Sequence, residues 1–116
     1  GLMHLDLDLF KVVNDTLGHA AGDHVLIPVA EILCTEIRRG DIVARVGGDE
    51  FVLLFRDCDD VTLLDAIARR LITQLEKPTH FDGRICQISA SIGTTISTNE
   101  LIPTADKMLN DADIAL

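Results

Sequence analysis

Two apolar runs of strand length, Ile42 to Val46 and Phe51 to Phe55, are separated only by Gly47-Gly48-Asp49-Glu50. Four residues leave room for neither a helix nor a long connection, so the spacing predicts a β-hairpin with this tetrapeptide at its tip. The near-continuous apolar character of both runs predicts central strands covered on both faces. Gly47 and Gly48 suit either a tight turn or the close approach of a ligand.

Upstream, Met3, Leu5, Leu7 and Leu9 alternate with His4, Asp6, Asp8 and Phe10. This is the period of a strand, and it sets Asp6 and Asp8 on one face about 6.5–7 Å apart. Asn14 to His19 reads as a turn. Beyond it, Val25, Leu26, Val29, Ile32, Leu33 and Ile37 recur at helical spacing behind a capping Asp23. Pro28 is expected to kink or shorten the first turns of that helix, and Gly40 to stand just past its end. Val61 to Leu75 reads as a second amphipathic helix, Pro78 and Asp82-Gly83 as turns, and Ile85 to Ile96 as a strand. Ala105, Met108, Leu109 and Ala112 begin a third helix. The order predicts an α+β fold, a βαββαβ arrangement whose mostly antiparallel sheet is flanked by helices on one face.

A chain of 116 residues makes one domain with a real core, and 47% hydrophobic residues exclude disorder. Aromatics supply only 3%, without Trp or Tyr, so the core falls to Leu, Ile, Val and Ala. A net charge of −9 disfavours DNA or RNA as a partner, which would need a basic face. A small phosphate ligand remains compatible if a divalent cation stands between it and the carboxylates. Cys34, Cys58 and Cys86 form no CxxC pair and read as reduced, buried thiols of a cytosolic protein. The sequence shows neither a signal peptide nor an apolar run of membrane-spanning length.

If the first strand pairs with the hairpin, Asp6 is brought to Asp49 and Glu50. Carboxylates so gathered repel one another unless a hard cation neutralises them. Mg²⁺ typically takes one or two of them and leaves its other positions to water and substrate phosphates. Taken by themselves, Asp49 and Glu50 serve equally well as polar turn residues. His4, His19, His24 and His80 lack the paired spacing of a metal site.

The run from Leu5 to Asp15 resembles the first-strand signature of the GGDEF family, and Gly18 to Asp23 its next motif. Arg45 to Phe51 is similar to the hairpin that names the family, with its preceding arginine. Ala90 to Gly93 and Ala112 to Ala115 resemble later landmarks, so that five motifs in family order span residues 1–116. The resemblance implies the fold of nucleotide cyclase and polymerase palm domains. It also implies a GGDEF domain incomplete at both termini: the family's preceding helix and its later lysine–arginine phosphate-binding stretch would lie outside this chain.

The activity implied is that of a bacterial diguanylate cyclase, which joins two GTP into cyclic di-GMP and releases two pyrophosphates. Such domains work in the cytoplasm as homodimers, often fused to sensor or phosphodiesterase domains, and this one would make no membrane contact of its own. Carried over, Asp6 and Glu50 would bind Mg²⁺ or Mn²⁺, with the Leu7 carbonyl as a backbone ligand. Asp49 would be a further ligand or the group that deprotonates the 3′-hydroxyl, which makes Asp49 and Glu50 the catalytic pair. Asn14 and Asp23 would read guanine, while Lys11 and the amides around Leu9 and Phe10 would meet the phosphates. Each has a plainer use: Asp23 as a cap, Asn14 as a turn residue, Lys11 as a solvated lysine. Asp8 reads as structural. Arg38 and Asp41 fit the family's RxxD product-inhibition site, helped by Arg69 or Arg70, although arginines also suit a helix C-terminus. The alternative is an inactive GGDEF module that binds GTP or cyclic di-GMP to regulate another domain.

Overall fold

The computed structural model describes residues 1–58 and 60–96. Its first strand, β1 (Leu2–Asp8), is followed by α1 (Phe10–Leu17) and α2 (His19–Glu36). The hairpin forms β2 (Ile42–Arg45) and β3 (Glu50–Leu54), and α3 (Val61–Leu75) follows. A small two-stranded sheet, β4 (Thr79–Phe81) with β5 (Arg84–Cys86), precedes β6 (Ser89–Thr95). The main sheet runs β2-β3-β1-β6, and each neighbouring pair is antiparallel. The α+β architecture is the one the sequence predicts.

Strand alternation decides where the core lies. Met3, Leu5 and Leu7 of β1 and Phe51 and Leu53 of β3 share a buried cluster with Val25, Val29 and Leu33 of α2 and Leu64 and Leu71 of α3. Leu5, Leu33, Leu53, Leu64 and Leu71 are fully buried, each contributing about 1.5–3 kcal/mol of transfer free energy. On the opposite face Leu2 packs with Val52 and Leu54 in a smaller patch. The core is mainly aliphatic as expected, but Phe10, Phe51 and Phe55 are also buried in it.

Helix α3 spans the residues predicted for it. Asp60 caps it, its Oδ1 accepting from the Leu63 amide at 3.2 Å, and Leu64, Ile67, Leu71 and Leu75 form its buried stripe. The first half of the chain departs from expectation. The stretch Asn14 to His19 is not a turn, because α1 runs through Leu17 and only Gly18, at φ 93°, breaks it from α2. Phe10 and Val13, one helical turn apart, anchor α1 on the core. Asp23 therefore lies inside α2 and caps nothing. Pro28 sits mid-helix without ending α2; it leaves the His24 carbonyl without its usual donor.

Gly40 is not the residue just past the helix either. Helix α2 ends at Glu36, and Gly40, at φ 92°, belongs to a separate tight turn closed by an Asp41 amide to Arg38 carbonyl bond of 3.0 Å. Strand β2 is an edge strand, not a covered central one: Ile42 and Val46 beside it are each more than half exposed. The stretch Ile85 to Ile96 is divided, since β5 pairs with β4 across the turn Asp82-Gly83 while β6 joins the main sheet. Both turn residues have positive φ, the signature of a type I′ hairpin turn. Cys58 and Cys86 are buried and Cys34 is exposed on α2; none is in a disulfide. The helix predicted from Ala105 onward and the motif Ala112 to Ala115 lie outside the described residues.

Candidate active site

The pairing of β1 with β3 places Asp6 directly opposite Glu50. The Leu7 amide donates to the Asp49 carbonyl at 2.9 Å, which fastens the end of β1 to the hairpin tip. Across the tip, the Val46 amide donates to the Glu50 carbonyl at 2.9 Å. The Arg45 guanidinium closes the loop from outside, with Nε donating to the Gly47 carbonyl at 3.1 Å and Nη2 to the Gly48 carbonyl at 2.9 Å. Neither Gly47 nor Gly48 adopts a left-handed φ. A Cβ added at Gly48 would meet nothing within 4 Å, so the turn itself does not require glycine there.

His4 shares the Asp6 face of β1, and its Nε2 lies 3.7 Å from Glu50 Oε2. His4, Asp6 and Glu50 can present one ligand atom each, all within 4.8 Å of one another. Two carboxylates and an imidazole at that separation form a donor set that fits a divalent cation. Burial pushes the Asp6 carboxyl above its ordinary range, and the negative charges of Glu50, Asp49 and Asp8 push the same way while His4 opposes them. Asp6 is thus held where its charge is resisted, the condition a cation would relieve. Asp8 is exposed and accepts a hydrogen bond from Ser91 Oγ at 2.8 Å.

Asn14 and Asp23 belong to successive helices that Gly22 brings together. A Cβ at Gly22 would overlap the Asn14 side chain, so the absence of that one carbon lets Asn14 lie against α2 one residue from Asp23. Asn14 is half-buried and Asp23 exposed. At the start of α1, Leu9 has φ 67° and its carbonyl accepts from the Val13 amide at 3.0 Å. This left-handed corner is costly for a branched side chain. It starts the helix at Phe10 with first-turn amides that have no intrahelical acceptor. Lys11 is exposed in that same turn. The phosphate-binding residues expected from the sequence therefore stand together at one corner, next to the carboxylates at the end of β1.

At the other end of the hairpin, an open recess of about 350 Å³ is lined by Arg38, Arg39, Asp41, Arg56 and Asp57. The Asp41 side chain is only 2% exposed, and both its oxygens are engaged: Oδ1 with the Arg56 amide at 2.9 Å, Oδ2 with the Arg38 amide at 2.8 Å. Burial would raise its pKa, but these bonds and the Arg38 guanidinium outweigh burial and leave it lowered. Arg38 is 60% exposed and also donates to the Arg56 carbonyl at 2.9 Å. Arg70 is held in an ion pair with Glu36 at 2.9 Å. Arg56 went unnoticed in the sequence because its proximity to Asp41 depends on the β2–β3 register. His4 lacks a histidine partner at metal-site spacing, and its sequence signal is instead the i, i+2 relation to Asp6 on a strand.

The family model described as "Diguanylate cyclase, GGDEF domain" matches residues 1–116. The chain is 42% identical over 116 residues to the probable diguanylate cyclase DgcE of Escherichia coli, covering 98% of this chain but 10% of that protein. Among solved structures, the GGDEF domain of YfiN (TpbB) from Pseudomonas aeruginosa matches with a TM-score of 0.88 at 36% identity, over 98% of this chain and 71% of that one. The GGDEF domain of DgcB from Caulobacter crescentus, solved in complex with c-di-GMP, matches with a TM-score of 0.85 at 26% identity, over 98% and 67% of the two chains.

Proposed function

The chain belongs to the GGDEF family of diguanylate cyclase domains, and from that premise we propose that it condenses two molecules of GTP into cyclic di-GMP. The observation that carries this reading is the register of β1 against β3, which sets Asp6 opposite Glu50 with Asp49 tied to Leu7 beside them. Asp6 and Glu50 hold Mg²⁺ or Mn²⁺, with the Leu7 carbonyl and Asp49 as further oxygen ligands. When bound, the cation supplies charge neutralisation for the triphosphate and favours the alkoxide form of the attacking hydroxyl.

Each domain contributes one GTP. The amides at the start of α1 and the Lys11 ammonium hold the phosphates, while Asn14 and Asp23 hydrogen-bond the guanine edge, Asp23 accepting from its N–H groups. The free space over Gly48 admits the second nucleotide, brought by another copy of the domain. The 3′-hydroxyl oxygen of one GTP bonds to the α-phosphorus of the other, and Asp49 takes its proton. The α–β phosphoanhydride bond breaks and pyrophosphate leaves; repeating the step with roles exchanged closes the ring. Cyclic di-GMP then inhibits by binding the recess at Arg38 and Asp41. Because both Asp41 oxygens already serve the turn, the exposed guanidinium of Arg38 carries most of that contact. The domain acts in the cytoplasm as part of a longer protein with sensor or phosphodiesterase domains, as the Pseudomonas aeruginosa relative MucR combines cyclase and phosphodiesterase in its name. No described helix is long and apolar enough to cross a membrane.

The test is to incubate the full-length protein with GTP and Mg²⁺ and to separate the products by chromatography. Cyclic di-GMP should accumulate with two pyrophosphates per product. A folded, dimeric sample that releases none would leave the regulatory-module reading in its place.

A further inference from the structure

The hairpin site contains one donor that hard-cation chemistry does not call for. We propose that His4 is a third protein ligand of this site and that the site prefers a first-row transition cation to Mg²⁺. The proposal deepens the cyclase reading, on which the identity of the site rests.

The geometry is set by the sheet. His4 and Asp6 are two residues apart on one strand, so their side chains leave the same face. Glu50 reaches that face from β3, opposite Asp6 and diagonal to His4. The three ligand atoms lie within 4.8 Å of one another, so modest side-chain rotation, on the order of 1 Å, brings them to the bonds of about 2.0–2.2 Å that a single cation takes. His4 is 7% exposed, so its ring is held by the sheet and needs little ordering to bind. Its Nε2 is already directed toward the Glu50 carboxylate.

Donor chemistry then decides which ion gains. Mg²⁺ favours oxygen and an octahedral shell rich in water, so an imidazole adds little to it. Imidazole suits the later first-row ions, whose affinities for mixed nitrogen and oxygen sites rise from Mn²⁺ through Co²⁺. A site of one imidazole and two carboxylates therefore strengthens binding of Co²⁺ or Zn²⁺ more than that of Mg²⁺.

The experiment titrates Co²⁺ and Mg²⁺ separately into the full-length, nucleotide-free protein by calorimetry. Co²⁺ should bind with one ion per domain and at least about tenfold more tightly than Mg²⁺. His4→Phe, which keeps a buried ring, should lower Co²⁺ affinity roughly tenfold or more and change Mg²⁺ affinity less than twofold; Asp6→Asn should weaken both. Unchanged Co²⁺ affinity in folded His4→Phe overturns the proposal. If that variant does not fold, pulsed EPR of the wild-type protein with Mn²⁺ decides the matter. Coupling to a directly bound ¹⁴N is expected, and its absence removes His4 as a ligand. None of these readings depends on turnover, so a protein that makes no cyclic di-GMP could still pass them, and an active one could fail.

Discussion

The two ends of one hairpin treat their carboxylates in opposite ways. At the tip, Asp6 faces Glu50, with Asp49 near, and its carboxyl is pushed up by burial and by like charge. At the base, the Asp41 side chain is also shielded, only 2% exposed, yet two backbone amides and a guanidinium hold its pKa below the ordinary value of 3.8. The base is satisfied from within the fold. The tip is left electrostatically incomplete, and that incompleteness is what a cation and a triphosphate can exploit. The difference teaches that burial alone does not set a carboxylate's state; the donors around it do.

Substitutions at the tip should therefore cost activity without costing the fold. Asp49→Asn removes the proposed base and is expected to lower turnover by about 10²–10⁴-fold, measured as cyclic di-GMP formed from GTP. The melting temperature should stay near that of the wild type, and a parallel collapse of stability would break the contrast. The base should respond in the reverse sense. Asp41→Ala strands the Arg38 and Arg56 amides and is expected to destabilise by about 1–3 kcal/mol in urea denaturation at neutral pH. The sign with pH follows from the lowered pKa: the contribution of Asp41 is fully present above its unfolded value and is lost as pH falls through the folded one. The gap between wild type and Asp41→Asn should accordingly close below about pH 3.8.

A third measurement adds the missing charge at the tip. A divalent cation at 100 times its dissociation constant should stabilise the wild type by about 2.7 kcal/mol, read as a higher melting temperature. Asp6→Asn should lose most of that gain while raising the cation-free melting temperature slightly, because one member of the repelling group is gone. The smallest effect belongs to Arg70→Gln. The Arg70 guanidinium is half exposed although Glu36 is only 12% exposed, so solvent screening keeps the pair to a modest contribution. The urea midpoint should barely move; a large shift would mean that the base depends on that pair more than its geometry indicates.

How much of this was legible beforehand follows from how local each determinant is. Helix α3 could be read to the residue because a full apolar stripe, Leu64, Ile67, Leu71 and Leu75, sits within its own sequence. The Asp6–Glu50 pairing could be anticipated because strand alternation and a four-residue connection leave few alternatives. Helix α1 was hidden, since Asn14-Asp15-Thr16-Leu17 has turn-like composition. It is helical because Phe10 and Val13 find the core and Leu9 turns the corner into them. The edge position of β2 was equally hidden: Ile42-Val43-Ala44 looks like a buried strand, and only the sheet order leaves it on the rim. Arg56 needed the register itself, which sets it against Asp41 where no sequence spacing connects them.

Gly22 carries a consequence of a different kind. The proposed guanine readers meet at Gly22, where the Asn14 side chain fills the space that a Cβ would need. If Asn14 and Asp23 read guanine as proposed, base selectivity and helix packing share that one position. A chain drifting toward another nucleotide would then change Asn14 or Asp23 themselves and keep the glycine against which Asn14 packs.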